Sequence, residues 1–345
     1  MNPDIAIAVS GGIDSLVAAQ LLKEQGHEVI GIHFLTGYET PLSAQNPVEK
    51  IGEQIGIRVE TVDCGAAFQS KVVDYFTQTY LSGQTPNPCL VCNPSIKFGT
   101  LLSFARELGA SSLATGHYAR IRKDRAGHFH LLRGLDQKKD QSYFLSFLSQ
   151  KQLAAACFPL GEMSKPEVIQ LAARKNLIPV EKGESQDVCF IRGRTYGEFL
   201  AEHQGVVPKP GAIEDVSGNV IGQHKGLHLF TIGQRRGINC PASEPYYVVQ
   251  TDMKKNRLVV GFKKELFSSE CQVTGINWIH EPPASPVRVL ARLRYRHQAA
   301  PAILSPTDPR TAIVRFETPQ TAITPGQGAV FYQKDEVLGG GWIEK

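Results

Sequence analysis

Ser10, Asp14 and Ser15 flank two adjacent glycines, Gly11 and Gly12, directly after a short apolar run, Ile5 to Val9. An apolar helical pattern, Leu16 to Leu22, follows and is closed by Gly26. A strand, a glycine turn and a helix start make an anion cradle. Glycines let the backbone come close to a phosphate, and the first-turn N–H groups have no intrahelical partners. Ser10 and Ser15 add hydroxyl donors. The turn lacks the lysine of G-x-x-x-x-G-K-[ST] and departs from G-x-G-x-x-G, so neither common nucleotide fingerprint applies. The plainer alternative is a tight strand-to-helix turn with Asp14 and Ser15 as capping residues.

A second chemical run is Thr85-Pro-Asn-Pro-Cys-Leu-Val-Cys-Asn93. Its prolines and asparagines predict a loop holding Cys89 and Cys92 ahead of a helix that starts near Ile96. The field at a helix N-terminus favours thiolate. Cys-x-x-Cys leaves three readings open: a redox pair, half a metal site, or two cysteines near a turn. No second Cys-x-x-Cys occurs in the chain, which argues against a four-cysteine zinc site. Cys189, in Glu184-Ser-Gln-Asp-Val-Cys-Phe-Ile191, reads by itself as a small buried cysteine.

The elements that must position these residues fall into three regions. The chain has 345 residues, more than one typical core supports. Residues 1–204 alternate strand and helix signals: strands at Ile5–Val9, His27–Leu35, Arg58–Asp63 and Ser112–Thr115, helices at Val48–Ile55, Phe68–Leu81 and Ile96–Leu108. That alternation predicts a doubly wound parallel sheet, with ligands at the carboxyl ends of its strands. Residues 205–283 carry short β-type runs (Val216–Val220, Leu227–Ile232, Tyr246–Gln250, Arg257–Val260) and predict a small β-rich middle domain. Pro282, Pro283 and Pro286 read as a linker. Residues 284–345 then predict a C-terminal β-barrel.

Composition fits an ordinary globular protein, 42% hydrophobic and 20% charged, with a net charge of +4 that permits a polyanionic partner. No run reaches the length of a membrane span, and the start shows no signal peptide, so a cytoplasmic location is expected. Seven cysteines, an odd number spread thinly, argue for chemistry or metal binding rather than a disulfide framework.

Ser10-Gly-Gly-Ile-Asp-Ser15 after a first strand resembles the pyrophosphatase-loop ATPases, whose sheet is of the adenine nucleotide α-hydrolase-like type. The full motif set is more specific. That loop, Thr85–Asn93, Ile96-Lys-Phe98, Ala114-Thr-Gly-His-Tyr-Ala-Arg120, Lys139-Asp-Gln-Ser-Tyr-Phe144, Ser185-Gln-Asp-Val-Cys-Phe190 and Thr231-Ile-Gly-Gln-Arg235 occur in order, followed by Thr324–Gly328 and Gly341–Ile343. Together they resemble the tRNA-specific 2-thiouridylase family, which thiolates the wobble uridine.

The resemblance implies a set of roles. ATP, with Mg2+, would lie on Ala8, Val9, Ser10, Gly11, Gly12, Ile13, Asp14, Ser15, Leu35 and Gly116. ATP adenylates uridine O2, and a sulfur nucleophile then displaces AMP. Cys189 would carry that sulfur as a persulfide, delivered by a cysteine desulfurase or a relay protein. Cys92 would be its nucleophilic partner, leaving a Cys92–Cys189 disulfide. A nearby cation or helix end should lower these thiol pKa values. The tRNA anticodon arm would contact Asn87, Pro88, Cys89, His117, Lys139, Asp140, Gln141, Arg294, Tyr295 and Gln327. Relatives often have aspartate where this chain has Cys89. That substitution opens a second mechanism, with Cys89, Cys92 and Cys189 holding a [4Fe-4S] cluster with one open iron. Relatives also often carry a longer segment after Leu35 than Thr36–Pro47.

Two features bear on tRNA without the family. Arg288, Arg292, Arg294 and Arg296 at period two predict an arginine ladder on one strand face, suited to a phosphate backbone. Arg120, Arg122, Lys123, Arg125, Arg133 and Lys138 form a basic stretch whose plain meaning is a solvated loop. His117 alone would read as a satisfied strand-end histidine. Competing functions are another pyrophosphatase-loop ligase, which needs no cysteine pair, and a non-catalytic RNA-binding protein with structural zinc.

Overall fold

The computed structural model describes residues 3–39, 47–180, 188–191, 193–204 and 207–344. The Glu184–Asp187 part of the Cys189 run, and most of Thr36–Pro47, lie outside the described residues.

Five parallel strands form the first sheet, in the order Val59–Asp63, Val29–Leu35, Ile5–Ala8, Ser112–Ala114, Ala156–Cys157. The central strand is buried on both faces, as an unbroken apolar run requires. Ile5 and Ile7 pack on the helix Ile13–Glu24 through Leu16, Val17 and Leu22, while Ala6 faces the opposite core of Phe98, Leu101 and Leu102. Helices therefore cover both faces of the sheet. Strand order reverses between Ile5–Ala8 and Ser112–Ala114, so the loops leaving those two strands open a crevice at their carboxyl ends.

The cysteine loop is in fact helical. Pro88–Cys92, Asn93–Leu101 and Leu102–Glu107 run on as one helix whose middle is wound with π geometry. Pro88 at the first turn is compatible with helix because no N–H is needed there. Cys89 and Cys92 thus ride on the helix rather than preceding it.

In the middle domain the sheet order is Tyr247–Asp252, Arg257–Gly261, Gly211–Asp215, Val220–His224. The expected strand Val216–Val220 is mostly a turn. Asp215 accepts from the N–H groups of Ser217 and Asn219, and Gly218 takes φ +86°. Leu227–Leu229 is a 3-10 turn.

The barrel closes with six antiparallel strands: Phe267–Trp278, Thr311–Thr321, Ala300–Asp308, Val287–Arg292, Gly328–Gln333 and Glu336–Ile343, the last pairing back onto the first. It therefore begins near 267, not 284. Closure needs Phe267–Trp278, and Pro282, Pro283 and Pro286 lie in a loop between two barrel strands. A hairpin of the first domain, Ala119–Lys123 with Phe129–Arg133, joins the barrel sheet where Leu132 pairs with Glu336.

The arginine ladder does not form. The strand ends at Arg292, so only Arg288 and Arg292 share its outer face. Arg288 pairs with Glu317, and Arg292 turns to Asp140. The basic stretch is largely paired as well: Arg120 with Glu162 and Asp335, Arg122 with Glu336, and Arg133 over the Tyr332 ring. Among the described residues no helix is long and apolar enough to cross a membrane.

Candidate active site

The glycine turn ends the central strand and starts the helix Ile13–Glu24, with Gly11 at φ +77° and Gly12 as N-cap. No side chain caps that helix, which leaves its first turn facing the crevice. Ser15 Oγ donates to Gly12 O at 2.9 Å and accepts from Ser10 N at 3.3 Å, so the serine braces the turn from inside. Gly116 arrives from the neighbouring strand. A Cβ there would stand 3.0 Å from the Asp14 carbonyl carbon and from Ser15 N. Glycine is required because the two loops touch. Leu35 is half-buried at the end of its strand, and its carbonyl accepts from Cys64 N at 2.8 Å.

Asp14 is held by two groups the sequence reading missed. Tyr118 donates its hydroxyl to Asp14 Oδ1 at 2.8 Å, and Lys165 Nζ lies 2.7 and 2.8 Å from the two carboxylate oxygens. Lys165 opens the helix Lys165–Arg174, which Ser164 and Glu167 start with a reciprocal capping box. The one sequence signal was that helix start, Ser164-Lys-Pro-Glu167.

The thiols gather on the same side. Val188, Phe190 and Ile191 pack in one apolar cluster with Cys64, Phe76, Ile96 and Cys92, which brings the Cys189 segment onto the cysteine helix. Cys189 itself is exposed, and it is close enough to act electrostatically on both Cys89 and Cys92. Cys89 is solvent-accessible yet sits in a crowded recess. Burial pushes its thiol up to about 11, with Cys189 adding and Lys97 opposing. Burial likewise pushes Cys92 up to about 12, against the pull of Lys97. The expected lowering does not occur, because desolvation outweighs one cation and the helix end.

Lys97 is a third residue the sequence reading missed, although it stood in the motif Ile96-Lys-Phe98. Its ammonium lies beside the thiols and 3.5 Å from His117 Nε2, while His117 Nδ1 bonds Thr115 Oγ1 at 2.6 Å. Burial, then the Lys97 cation, holds His117 well below the usual histidine range, so it is neutral. Lys97 acts electrostatically on Cys92 and reaches His117, which follows Gly116, whose backbone abuts Asp14 and Ser15 of the glycine turn.

Several residues expected at tRNA have partners within the chain. Asp140 is buried, accepts from Gly134 N and Ser142 N, and pairs with Arg292 at 3.2 Å. Gln141 bonds Tyr118 through both backbone and side chain. Arg294 is half-buried and donates to Ile232 O, Ala322 O and Thr324 Oγ1. Gln327 Nε2 donates to Thr85 O at 3.1 Å and Pro86 O at 2.9 Å. Tyr295 stacks on Phe144, with ring centres 4.3 Å apart. Lys139 is half-buried on the turn with Asp136. Asn87 and Pro88 are buried, and Asn87 Nδ2 reaches Tyr143 OH at 3.5 Å. The barrel thus braces the segment that carries Cys89.

Three family models match the chain consecutively: a tRNA methyl transferase HUP domain at residues 3–193, a tRNA methyl transferase PRC-barrel domain at 195–262, and an aminomethyltransferase beta-barrel domain at 268–343. A protein of Desulfosudis oleivorans named tRNA-specific 2-thiouridylase MnmA is 54% identical over 342 residues, covering 99% of this chain and 95% of its own. Proteins of the same name from Geobacter metallireducens and Geotalea uraniireducens are 45% and 44% identical, over 99% of this chain and 96% and 94% of theirs. A glycine turn, a cysteine helix and a barrel brace in this order, with relatives this similar over their whole length, make the chain a member of the tRNA-specific 2-thiouridylase family.

Proposed function

We propose that this enzyme replaces the C2 oxygen of the wobble uridine of tRNA with sulfur, at the expense of ATP. The observation that supports it is the convergence of Cys92 and the Cys189 segment with the Ser10–Ser15 turn, through Lys97, His117 and Gly116.

The chemistry balances on these residues. Uridine O2 attacks the α-phosphorus of ATP, and pyrophosphate leaves from the Ser10–Ser15 turn. Asp14, the turn's own carboxylate, would hold a magnesium ion once Lys165 turns to the phosphates, and the ion would supply charge for the leaving pyrophosphate. The terminal sulfur of a Cys189 persulfide then attacks C2, and AMP departs with the former O2. Cys92 attacks Cys189 Sγ, the bond to the transferred sulfur breaks, and 2-thiouridine leaves. A Cys92–Cys189 disulfide remains, which an external dithiol reduces. Lys97, beside the thiols and next to neutral His117, stabilises the thiolates as they form. A persulfide carrier, such as a cysteine desulfurase or a relay protein, loads the exposed Cys189.

In this reading the exposed groups meet tRNA and the buried ones support them. Cys89 and Lys139, with the exposed rim of the barrel loop around Tyr295, face the anticodon arm. Asn87, Pro88, Gln327, Arg294 and Asp140 hold that surface in place. An open anticodon loop makes base extrusion cheap. All seven cysteines are free, which suits a reducing, cytoplasmic compartment.

A second reading keeps the substrate and changes the sulfur carrier. Cys89, Cys92 and Cys189, whose thiols lie close enough to influence one another, would hold an iron–sulfur cluster, since thiolates are the usual cluster ligands. Such a cluster would supply an iron site for the incoming sulfide.

Two of the matched family models are named for methyl transfer to tRNA. An adenylating turn beside paired thiols suits sulfur transfer better. Unmodified tRNA, ATP, magnesium and a sulfur donor, incubated with the full chain, should give 2-thiouridine and AMP by nucleoside mass analysis. Absence of both would reject the function. Iron and sulfide analysis after anaerobic purification separates the two carriers.

A further inference from the structure

His130, His280 and Glu336 come together far from one another in sequence and outside the catalytic crevice. His130 belongs to the hairpin of the first domain, Glu336 starts the last barrel strand, and His280 follows the first barrel strand. Their facing atoms form a triangle. His130 Nδ1 is 2.7 Å from Glu336 Oε1, His280 Nε2 is 3.1 Å from His130 Nδ1, and His280 Nε2 is 3.7 Å from Glu336 Oε1. Zinc–ligand bonds of 2.0–2.1 Å in a tetrahedron set ligand atoms about 3.3 Å apart, which is the size of this triangle.

The surroundings carry the inference further. His130 Nε2 lies 3.2 Å from Asp124 Oδ2, while Asp124 Oδ1 accepts from His128 N at 2.9 Å. With an ion on Nδ1, the ring's one proton would sit on Nε2 facing Asp124, the usual outer-sphere arrangement around a metal-bound histidine. Arg122 approaches Glu336 through Oε2, at 3.7 Å, and leaves Oε1 facing the histidines. His280 also borders an open recess of about 610 Å3 with Phe147, Trp278 and Trp342.

We propose that His130 Nδ1, His280 Nε2 and Glu336 Oε1 bind one divalent transition-metal ion, with zinc the best fit and water in the fourth position. The ion joins the first-domain hairpin to the barrel. Between these two elements the described backbone pairing is short, Leu132 facing Glu336 and Arg133 N donating to Asp335 O, with Arg120 and Arg122 reaching Asp335 and Glu336 from the hairpin. The site is therefore a structural clasp, independent of sulfur transfer.

The test uses the full chain with Cys89, Cys92 and Cys189 all changed to serine, so that active-site thiols take no zinc. After chelator treatment, calorimetric titration with zinc should show one saturable equivalent and a raised melting temperature. His280→Ala should weaken binding at least tenfold and remove the thermal shift. Glu336→Gln, which preserves side-chain volume, should do the same, and Asp124→Asn should cost about 10–100-fold in affinity. No saturable site in the parent would overturn the proposal. So would unchanged affinity in folded His280→Ala and Glu336→Gln variants, with folding checked by circular dichroism.

Discussion

Lys165 Nζ bonds both oxygens of Asp14, although the two residues lie 151 positions apart. The phosphate turn lacks a lysine of its own, and the fold returns one to it from a distant helix start. Lys165 pairs with Asp14 here, and under the proposed function it turns to a nucleotide phosphate when ATP binds. Charge-assisted hydrogen bonds of this kind contribute about 1.5–3 kcal/mol. Lys165→Ala should therefore raise the ATP dissociation constant by about tenfold to a hundredfold, measured by equilibrium binding without tRNA. An unchanged constant would confine Lys165 to holding the turn.

The cysteine pair makes a cleaner prediction. Cys92→Ser and Cys189→Ser should each abolish 2-thiouridine formation while ATP binding stays intact. In the wild type, one turnover without reductant should consume two alkylatable thiols and leave the Cys92–Cys189 disulfide, visible by peptide mass mapping. Two free thiols after turnover would contradict the persulfide route.

Thiol reactivity should follow pH in a set direction. Burial pushes Cys89 up to about 11 and Cys92 up to about 12, so both are protonated thiols at neutral pH. Only thiolate reacts, so alkylation of both should rise about tenfold for each pH unit between 7 and 10, with no plateau in that interval. Lys97 opposes the rise in both values, so Lys97→Met should slow alkylation at every pH in this range. A plateau below pH 8 would mean a thiolate site.

Arg292 tests what the barrel arginines do. Its partner Asp140 is buried, with 2% of its side chain exposed, so removing the guanidinium strands a carboxylate. Arg292→Ala should lower unfolding stability by about 3 kcal/mol in a urea titration. Asp140→Asn in the same background should recover part of that loss. A variant with full stability and weakened tRNA binding would return Arg292 to the phosphate-contact role.

The barrel's grip on the cysteine segment can be loosened separately. Gln327→Ala removes the bonds to Thr85 O and Pro86 O, worth about 1 kcal/mol each. Thiolation should slow while ATP affinity holds. Equal losses in both would point to general unfolding.

Local pattern carried much of this protein. The buried strand Ile5–Ala8, the glycine turn and its helix follow from apolar runs and backbone freedom over a few residues, and the ordered motifs named the family. The position of Cys189 against Cys92 lay beyond any window, since it depends on Phe190 and Val188 seating in a core built from Cys64, Phe76 and Ile96. Long-range charge was equally hidden. Arg292 and Arg294 read as a phosphate ladder until the strand's end at 292 turned them toward Asp140 and Thr324. Lys97 and Lys165 looked like ordinary helix residues until folding set them beside thiols and a carboxylate. Periodicity is a property of neighbours in the chain, whereas pairing and desolvation depend on what tertiary packing places around each group.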